Sequence, residues 1–442
     1  MVGLAAPACS GGGAADRRGA AVPPPTGMVR TAWSSDPWTL GSYSYLGVGA
    51  TPELRRTLGT PVDGGTLHLA GEHVAAAHPG TVHGAAESGA TTAELILDDA
   101  DGPERVVVIG AGMAGATVAR RLADEGHEVL VLEGRDRVGG RIDTVRPDGW
   151  GIPVERGASW IHDVRASDLA AELSALGIRA VPFGYRGSVL GPDGRVVPDN
   201  AISSDPEQDI AAAIEWAEAH DPDVSLAEAL ARSGAESDPV ELERFLRSEI
   251  ATEYGADPDE LSARTGLAEG TTGDDLLVVG GYGRLVEDLL DGIPIELGWP
   301  VAEIAHGPDG VVVTARDGRA VVADRVVATL PLGVLKAGTV TFSPPLPAGH
   351  RAAVDGLSMG LLDKLWLRWD ERWWGDRGDQ WTRAAPADDP YVEWFDLSGS
   401  TGQPVLLSLV GGSVAREWST RSDEDVLTAA MRSLQSFRDA GW

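Results

Sequence analysis

Three features of the sequence predict an α/β fold with a second, α+β domain. A glycine-rich turn stands between an apolar strand and a helix. Strands and helices alternate along the chain with no repeat period. The length, 442 residues, is too great for one simple core and calls for two domains.

Taken in order, residues 1–28 are rich in Gly, Ala and Pro and read as a disordered arm. Within it, Leu4–Gly13 faintly resembles a lipoprotein cleavage site, but its apolar stretch is short and no positive charge precedes it. A cytoplasmic location is therefore expected, with an exported lipoprotein as the alternative if translation starts upstream. Arg105–Ile109 is a short buried-type strand. Gly110-x-Gly112-x-x-Gly115 follows, then a helix over Ala116–Glu125 that Gly126 ends, then a strand over His127–Leu132 closed by Glu133. This is the opening βαβ unit of a Rossmann-type dinucleotide-binding fold. Gly110 makes the tight turn, Gly112 lets backbone approach a diphosphate, and Gly115 lets helix and strand pack closely. The helix N-terminus, with Ala114 on it, faces the phosphates, and Glu133 can accept bonds from a ribose diol. From Arg165 to about Leu246 the pattern reads as mostly helical. Pro294–Ala305, Gly310–Arg316, Arg325–Thr329, Asp363–Trp369 and Pro404–Val410 read as strands, and Asp423–Phe437 as a helix.

Composition narrows the partners. The formal net charge of −31 repels nucleic acid and anionic lipid and attracts cations, and no apolar run reaches transmembrane length. The only cysteine is Cys9, which excludes an intrachain disulfide. His68, His73, His78 and His83 recur every five residues, a spacing that lines no helix face, so no metal site is expected. Lysine is nearly absent: Lys336 and Lys364 are the only two among 36 basic residues. A lysine kept in so Arg-biased a chain marks a place where an ammonium, which can shed a proton, serves and a guanidinium does not. Lys336 follows a loop and reads as a solvated surface residue.

Leu132–Arg141, LEGRDRVGGR, resembles the second signature of the flavin-containing amine oxidase family. The resemblance is to polyamine oxidases and flavin-type lysine demethylases rather than to monoamine oxidases. It implies that FAD is the cofactor, with Arg135 and Arg141 along its diphosphate and Gly140 close by. Glu155–His162, ERGASWIH, resembles the family's segment crossing the isoalloxazine, which assigns Gly157, Ala158, Ser159 and Trp160 to the cofactor. Pro300–Ile304 looks like the strand that meets adenine through Val301. Gly360–Trp374 looks like the segment with the active-site lysine, which places Lys364 near flavin N5 holding a water. His78, His162 and Phe395 are the candidate pocket residues, with Trp160 and Trp394 as further aromatic candidates for contact with an amine cation. His78 stands where relatives often carry a tyrosine, and Asp163 where they usually have glycine.

The order of the motifs is unusual. Trp33-x-x-Asp36-Pro37, Gly41-Ser42-Tyr43-Ser44, Ala70-Gly71-Glu72 and Thr81–Ala85 resemble segments that end the chain in the family, yet here they precede the glycine turn. The sequence is similar to the family in circularly permuted order. The new ends fall in the loop Val22–Gly27, and a short linker joins the helix Ala85–Leu97 to the Rossmann strand. In this arrangement Glu72 reaches the ribityl or phosphate region, and Thr81 and Val82 present a helix N-terminus to the flavin N1/O2 edge. Ser42 holds the place where monoamine-oxidase relatives attach flavin through cysteine, so FAD is expected to be non-covalent. The FAD-binding domain is expected over 29–178 and 272–331, and the substrate domain, a mixed sheet with helices, over 179–271 and 332–442.

The implied reaction is hydride transfer from an amine α-carbon to flavin N5. It leaves an imine for hydrolysis, and O2 reoxidises the flavin to give H2O2. Three other readings stand beside it. An isoprenoid desaturase or porphyrinogen-type oxidase would not need Lys364, an L-amino acid oxidase would need a pocket arginine, and a non-catalytic flavoprotein would need neither. The sequence does not speak to oligomeric state.

Overall fold

A computed structural model describes residues 20–197, 202–271, 273–386 and 389–442. Residues 1–19, most of the expected arm and Cys9 with it, lie outside the described residues. The rest of that arm departs from the expectation of disorder. Val22 is buried, and its N–H donates to Gln435 Oε1 at 2.9 Å. Trp369 Nε1 donates to the Pro23 carbonyl at 2.8 Å. Gly27–Arg30 forms a strand antiparallel to Leu362–Arg368. A Pro-rich composition does not prevent order where tryptophan and a neighbouring strand supply partners for the backbone.

The Rossmann strand Arg105–Ile109 is the centre of a five-stranded parallel sheet. Its order is Ile295–Glu296, Glu128–Leu132, Arg105–Ile109, Arg325–Ala328, Leu67–Leu69. The apolar run Val106–Ile109 is buried throughout, as a strand covered on both faces requires. Each of these side chains contributes roughly 1.5–3 kcal/mol by leaving water. The edge strand Leu67–Leu69 comes from the block that precedes the glycine turn, and it hydrogen-bonds to Arg325–Ala328. The helix Val82–Asp99 packs on the helix Met113–Asp124 so closely that a Cβ on Gly89 would lie 2.5 Å from the Ala114 carbonyl oxygen.

The largest sheet among the described residues has seven strands. Its order is Gly27–Arg30, Leu362–Arg368, Val405–Gly411, Glu393–Asp396, Gln380–Arg383, Gly187–Leu190, Val196–Val197. A smaller sheet sets Asp275–Val278 between Trp160–Ile161 and Ala180–Phe183.

Two expectations about elements need correction. The stretch 165–246 is not mostly helical: strands Ala180–Phe183, Gly187–Leu190 and Val196–Val197 interrupt the helices Leu169–Ala175, Asp205–Glu218, Leu226–Ser233 and Pro239–Phe245. The alanine-rich helices on either side mask a glycine-punctuated segment whose β-branched residues pair. The strand expected over Pro294–Ala305 is two strands in two sheets, Ile295–Glu296 and Val301–Gly307, separated by a turn at Gly298, whose φ is 61°. No described helix is long and apolar enough to cross a membrane.

Candidate active site

Backbone geometry explains the three glycines of the turn. At Gly115 a Cβ would lie 2.0 Å from the Gly110 carbonyl oxygen, so the helix could not start so near the strand. Gly110 has φ 105°, and its Cβ would meet Thr329 Oγ1 at 2.4 Å. Gly112 differs: a Cβ there would have only the Gly139 carbonyl oxygen within reach, at 3.9 Å. The space beside Gly112 and Gly140 is open to a ligand. Glu133 ties the turn together, with Oε2 accepting from the Ala111 N–H at 2.8 Å and Oε1 from the Arg135 N–H at 2.9 Å.

Gly110, Gly112, Gly140, Glu133 and Arg135 line one end of a cavity of about 530 Å³. Arg135 pairs with Asp36 through Nη1 at 2.8 Å, while its Nη2 is buried with no partner. Arg141 Nη1 bridges Glu72 Oε1 and the Ser42 carbonyl, both at 2.8 Å. Burial would raise the Glu72 carboxyl, but Arg141, His73, Arg55 and the Ser44 hydroxyl together hold it down at about 2. Thr81 N-caps the helix Val82–Asp99 by accepting from the Gly84 N–H at 3.0 Å, and Thr81 and Val82 both line the cavity. Two helix N-termini, an orphaned guanidinium nitrogen and an open glycine cradle fit an extended cofactor with an anionic diphosphate. Gly112, Ala114, Gly140, Arg135 and Arg141 would hold the phosphates, and Glu133 a sugar hydroxyl.

Lys364 lies farther along the same cavity, on the strand Leu362–Arg368. Its Nζ donates to Ser159 Oγ and to the Gly157 carbonyl, each at 2.5 Å, and stands 5.2 Å from the Trp160 ring centre. Burial pulls the ammonium down to about 7, against the raising pull of Glu155. Gly157 is obligatory, because a Cβ would overlap the Arg141 carbonyl oxygen at 1.7 Å. Ala158, Ser159 and Trp160 complete this wall, and Trp160 Nε1 is buried without a partner. Lys336 is on the surface as expected, yet its ammonium donates to the carbonyls of Val354, Asp355 and Leu357, capping the helix Ala348–Gly356.

Beyond Lys364 the cavity becomes aromatic and acidic. Trp160, Phe183, Tyr185 and Phe395 pack in edge-to-face and tilted pairs, with ring centres 4.9–6.3 Å apart. Trp394 is not part of this cluster: it is fully buried in the core, donating to Ser433 Oγ at 3.0 Å. Strand alternation sends Glu393 and Phe395 to the cavity and Trp394 away from it. His162 lines the cavity; His78 does not, and packs instead against His83 at 4.6 Å. Both His78 (φ 49°) and Asp163 (φ 42°) hold the left-handed backbone that glycine adopts freely. Gly115 and Val301 are also off the lining, Gly115 in the helix packing and Val301 buried in the cluster that contains Leu132.

The sequence reading missed Glu249, Glu253, Glu269, Asp275 and Glu393, which all line the cavity. Glu393 is fully buried; Oε1 accepts from Gln380 Nε2 at 2.7 Å and Oε2 has no partner. Burial, and then the nearby Glu249, push its carboxyl well above the usual range. Glu249 falls in the π-helical turn Leu246–Ile250, a distortion common at functional sites. One signal was legible: Glu393 is a lone acid inside the apolar run Tyr391–Phe395.

Comparison with known proteins agrees with this geometry. The family model described as flavin containing amine oxidoreductase matches residues 13–97 and 113–440. Polyamine oxidase 5 of Oryza sativa subsp. japonica is 30% identical over 368 residues, covering 77% of this chain and 74% of its own. Polyamine oxidase 2 of Arabidopsis thaliana is 30% identical over 353 residues, covering 75% and 71%. Among solved structures, cyclohexylamine oxidase from Brevibacterium oxydans IH-35A shares the fold with a TM-score of 0.61 at 23% identity, over 76% of this chain and 82% of that one. The matched residues span most of the sequence, and the chain belongs to the flavin-containing amine oxidoreductase family.

Proposed function

We propose that the protein oxidises a cationic amine, most suitably a di- or polyamine, using non-covalent FAD. The observation that carries this reading is Lys364, a buried ammonium held at the junction between the diphosphate cradle and an acidic, aromatic chamber. When bound, the flavin accepts hydride from the carbon next to the amine nitrogen and passes the electrons to O2. The residues of the chain orient and exclude. Trp160 and Phe395 offer ring faces to the substrate cation. Glu393 and Glu249 present two buried carboxyls, both raised by burial, that a second ammonium seated beside them would draw into the charged form. Lys364, with Ser159 and the Gly157 carbonyl, holds a water and its proton beside the reacting carbon. The acidic chamber opposes an amino acid substrate, whose carboxylate would lie among Glu249, Glu253 and Glu393.

Non-covalent attachment is supported by Ser42, whose hydroxyl exchanges hydrogen bonds with both backbone groups of Leu362, at 2.9 Å each. Permuted chain order is supported by coverage: a collinear match from residue 105 onward amounts to about three quarters of the chain, the share over which the relatives align. Anaerobic mixing with spermidine, putrescine and benzylamine tests the function. Bleaching of the flavin band is expected, fastest with the polycations. A band that no amine bleaches would overturn the reading. Acid precipitation should release all the flavin into the supernatant.

A further inference from the structure

Three side chains on the cavity wall are joined by hydrogen bonds and take no part in the chemistry so far described. His162 Nδ1 lies 2.9 Å from Asp275 Oδ2, and Tyr185 Oη donates to the same oxygen at 2.6 Å. The other carboxylate oxygen accepts from the Asp163 N–H at 3.3 Å. Strand pairing brings them together: Asp275–Val278 runs antiparallel to both Trp160–Ile161 and Ala180–Phe183, so the strand ends meet. All three residues line the cavity. Trp160, two residues before His162 on an extended stretch and therefore on the same side, is the ring beside Lys364.

A carboxylate can only accept hydrogen bonds, so the imidazole must place its proton on Nδ1. The neutral ring then carries its lone pair on Nε2, the nitrogen that Asp275 does not touch. An alkylamine enters as an ammonium, whose nitrogen has no free electron pair to assist loss of hydride from the next carbon. We propose that Asp275, backed by Tyr185, is a positioning residue that fixes His162 with its proton on Nδ1, so that Nε2 takes one proton from the substrate ammonium inside the cavity. This inference rests on the amine-oxidising function. In the step, one N–H bond of the ammonium breaks and its electron pair stays on nitrogen. An Nε2–H bond forms, leaving a neutral amine and an imidazolium paired with the Asp275 carboxylate. Nothing is oxidised or reduced.

The surrounding charges suit this role. His83, on the helix Val82–Asp99, interacts with His162, with His78 just before that helix and with Asp163, while Glu253 and Glu393 act on Tyr185. His83 is pushed down to about 4, by burial first and then by the two neighbouring imidazoles, so it does not compete for the proton. Burial would raise the Asp275 carboxyl, but the hydrogen bonds from His162 and Tyr185 outweigh it and keep the group ionised.

The test compares wild type with Asp275→Asn, which keeps shape and loses charge, and with Tyr185→Phe. Flavin reduction by spermidine and by benzylamine is followed without oxygen from pH 7 to 10. Asp275→Asn should be slower by about tenfold at pH 7, and the deficit should close near pH 10, where much of an alkylamine is already neutral. Tyr185→Phe should show a smaller deficit of the same shape. A second readout needs no turnover: the imidazole nitrogen NMR signals of His162, assigned by their loss in His162→Gln, should report the Nδ1–H tautomer, and Asp275→Ala should move the ring toward Nε2–H. A deficit equal at every pH, or an Nε2–H tautomer in wild type, overturns the proposal while amine oxidation stands. If neither amine reduces the wild-type flavin, the function falls and this inference falls with it.

Discussion

At the glycine-turn end of the cavity much of the wall is bare backbone, and at the Glu393 end it is side chains. Gly110, Gly112, Gly115, Gly140 and Gly157 matter there for atoms they lack, and most are held within a few ångströms of neighbouring backbone. Around Glu249, Asp275 and Glu393 what matters is the protonation of buried carboxyls, raised at Glu249 and Glu393 and lowered at Asp275, with an unpartnered oxygen on Glu393. Backbone cradles tolerate almost no change in shape. Buried charges tolerate shape and respond to protonation. The two ends should therefore fail differently.

The largest effect is expected from Gly115→Ala, which drives a methyl group into the Gly110 carbonyl. The protein should purify without its flavin absorbance; retention of a full complement would show that the turn is more plastic than its contacts imply. Next comes Lys364→Met, which removes the ammonium and leaves the cradle intact. Flavin reduction should slow by about 10²-fold with the flavin band still present. An unchanged rate would remove Lys364 from the chemistry.

Acid should attack the cofactor side first. Burial holds the imidazoles of His68, His73 and His83 down at about 4, from an ordinary value of 6.5. The unfolded chain takes up protons below 6.5 that the folded chain refuses, so stability falls as pH drops from 6.5 toward 4. Glu72, held at about 2 against an ordinary 4.5, contributes stability that is complete above 4.5 and lost between 4.5 and 2. Melting temperature should decline steadily from pH 6.5 downward; a plateau to pH 4.5 would mean these imidazoles reach water. The smallest effect sharpens the contrast from outside the cavity. Ser225→Ala removes the cap that accepts from the Glu228 N–H, and should cost about 1 kcal/mol while leaving flavin content and reduction rate untouched.

The sequence was most legible where a function is compressed into neighbouring residues. The glycine turn occupies six consecutive positions, and its strand was expected over Arg105–Ile109, the residues it occupies. Lys364 stood out because lysine is nearly absent from the chain. The acidic chamber was illegible because its members come from a helical segment, a turn and strands of two sheets, and meet only in the fold. Trp394 and Phe395 show the limit clearly. Either aromatic could have faced an amine, and only the pairing of the strand, with Phe395 opposite Leu407 and Trp394 opposite Trp381, sends Phe395 toward the cavity and Trp394 into the core.

The strand Gly27–Arg30 has a consequence for how the molecule comes into being. Among the described residues its only sheet partner is Leu362–Arg368, more than three hundred residues later. During synthesis this strand must wait, unpaired, until Leu362–Arg368 has left the ribosome. Closing so long a loop adds little to the equilibrium cost, because that cost grows only with the logarithm of length. In time the cost is larger, since contacts this distant form late. The seven-stranded sheet is thus completed after the nucleotide-binding sheet has most of its strands, and the wall that carries Lys364 is among the last parts of the protein to become rigid.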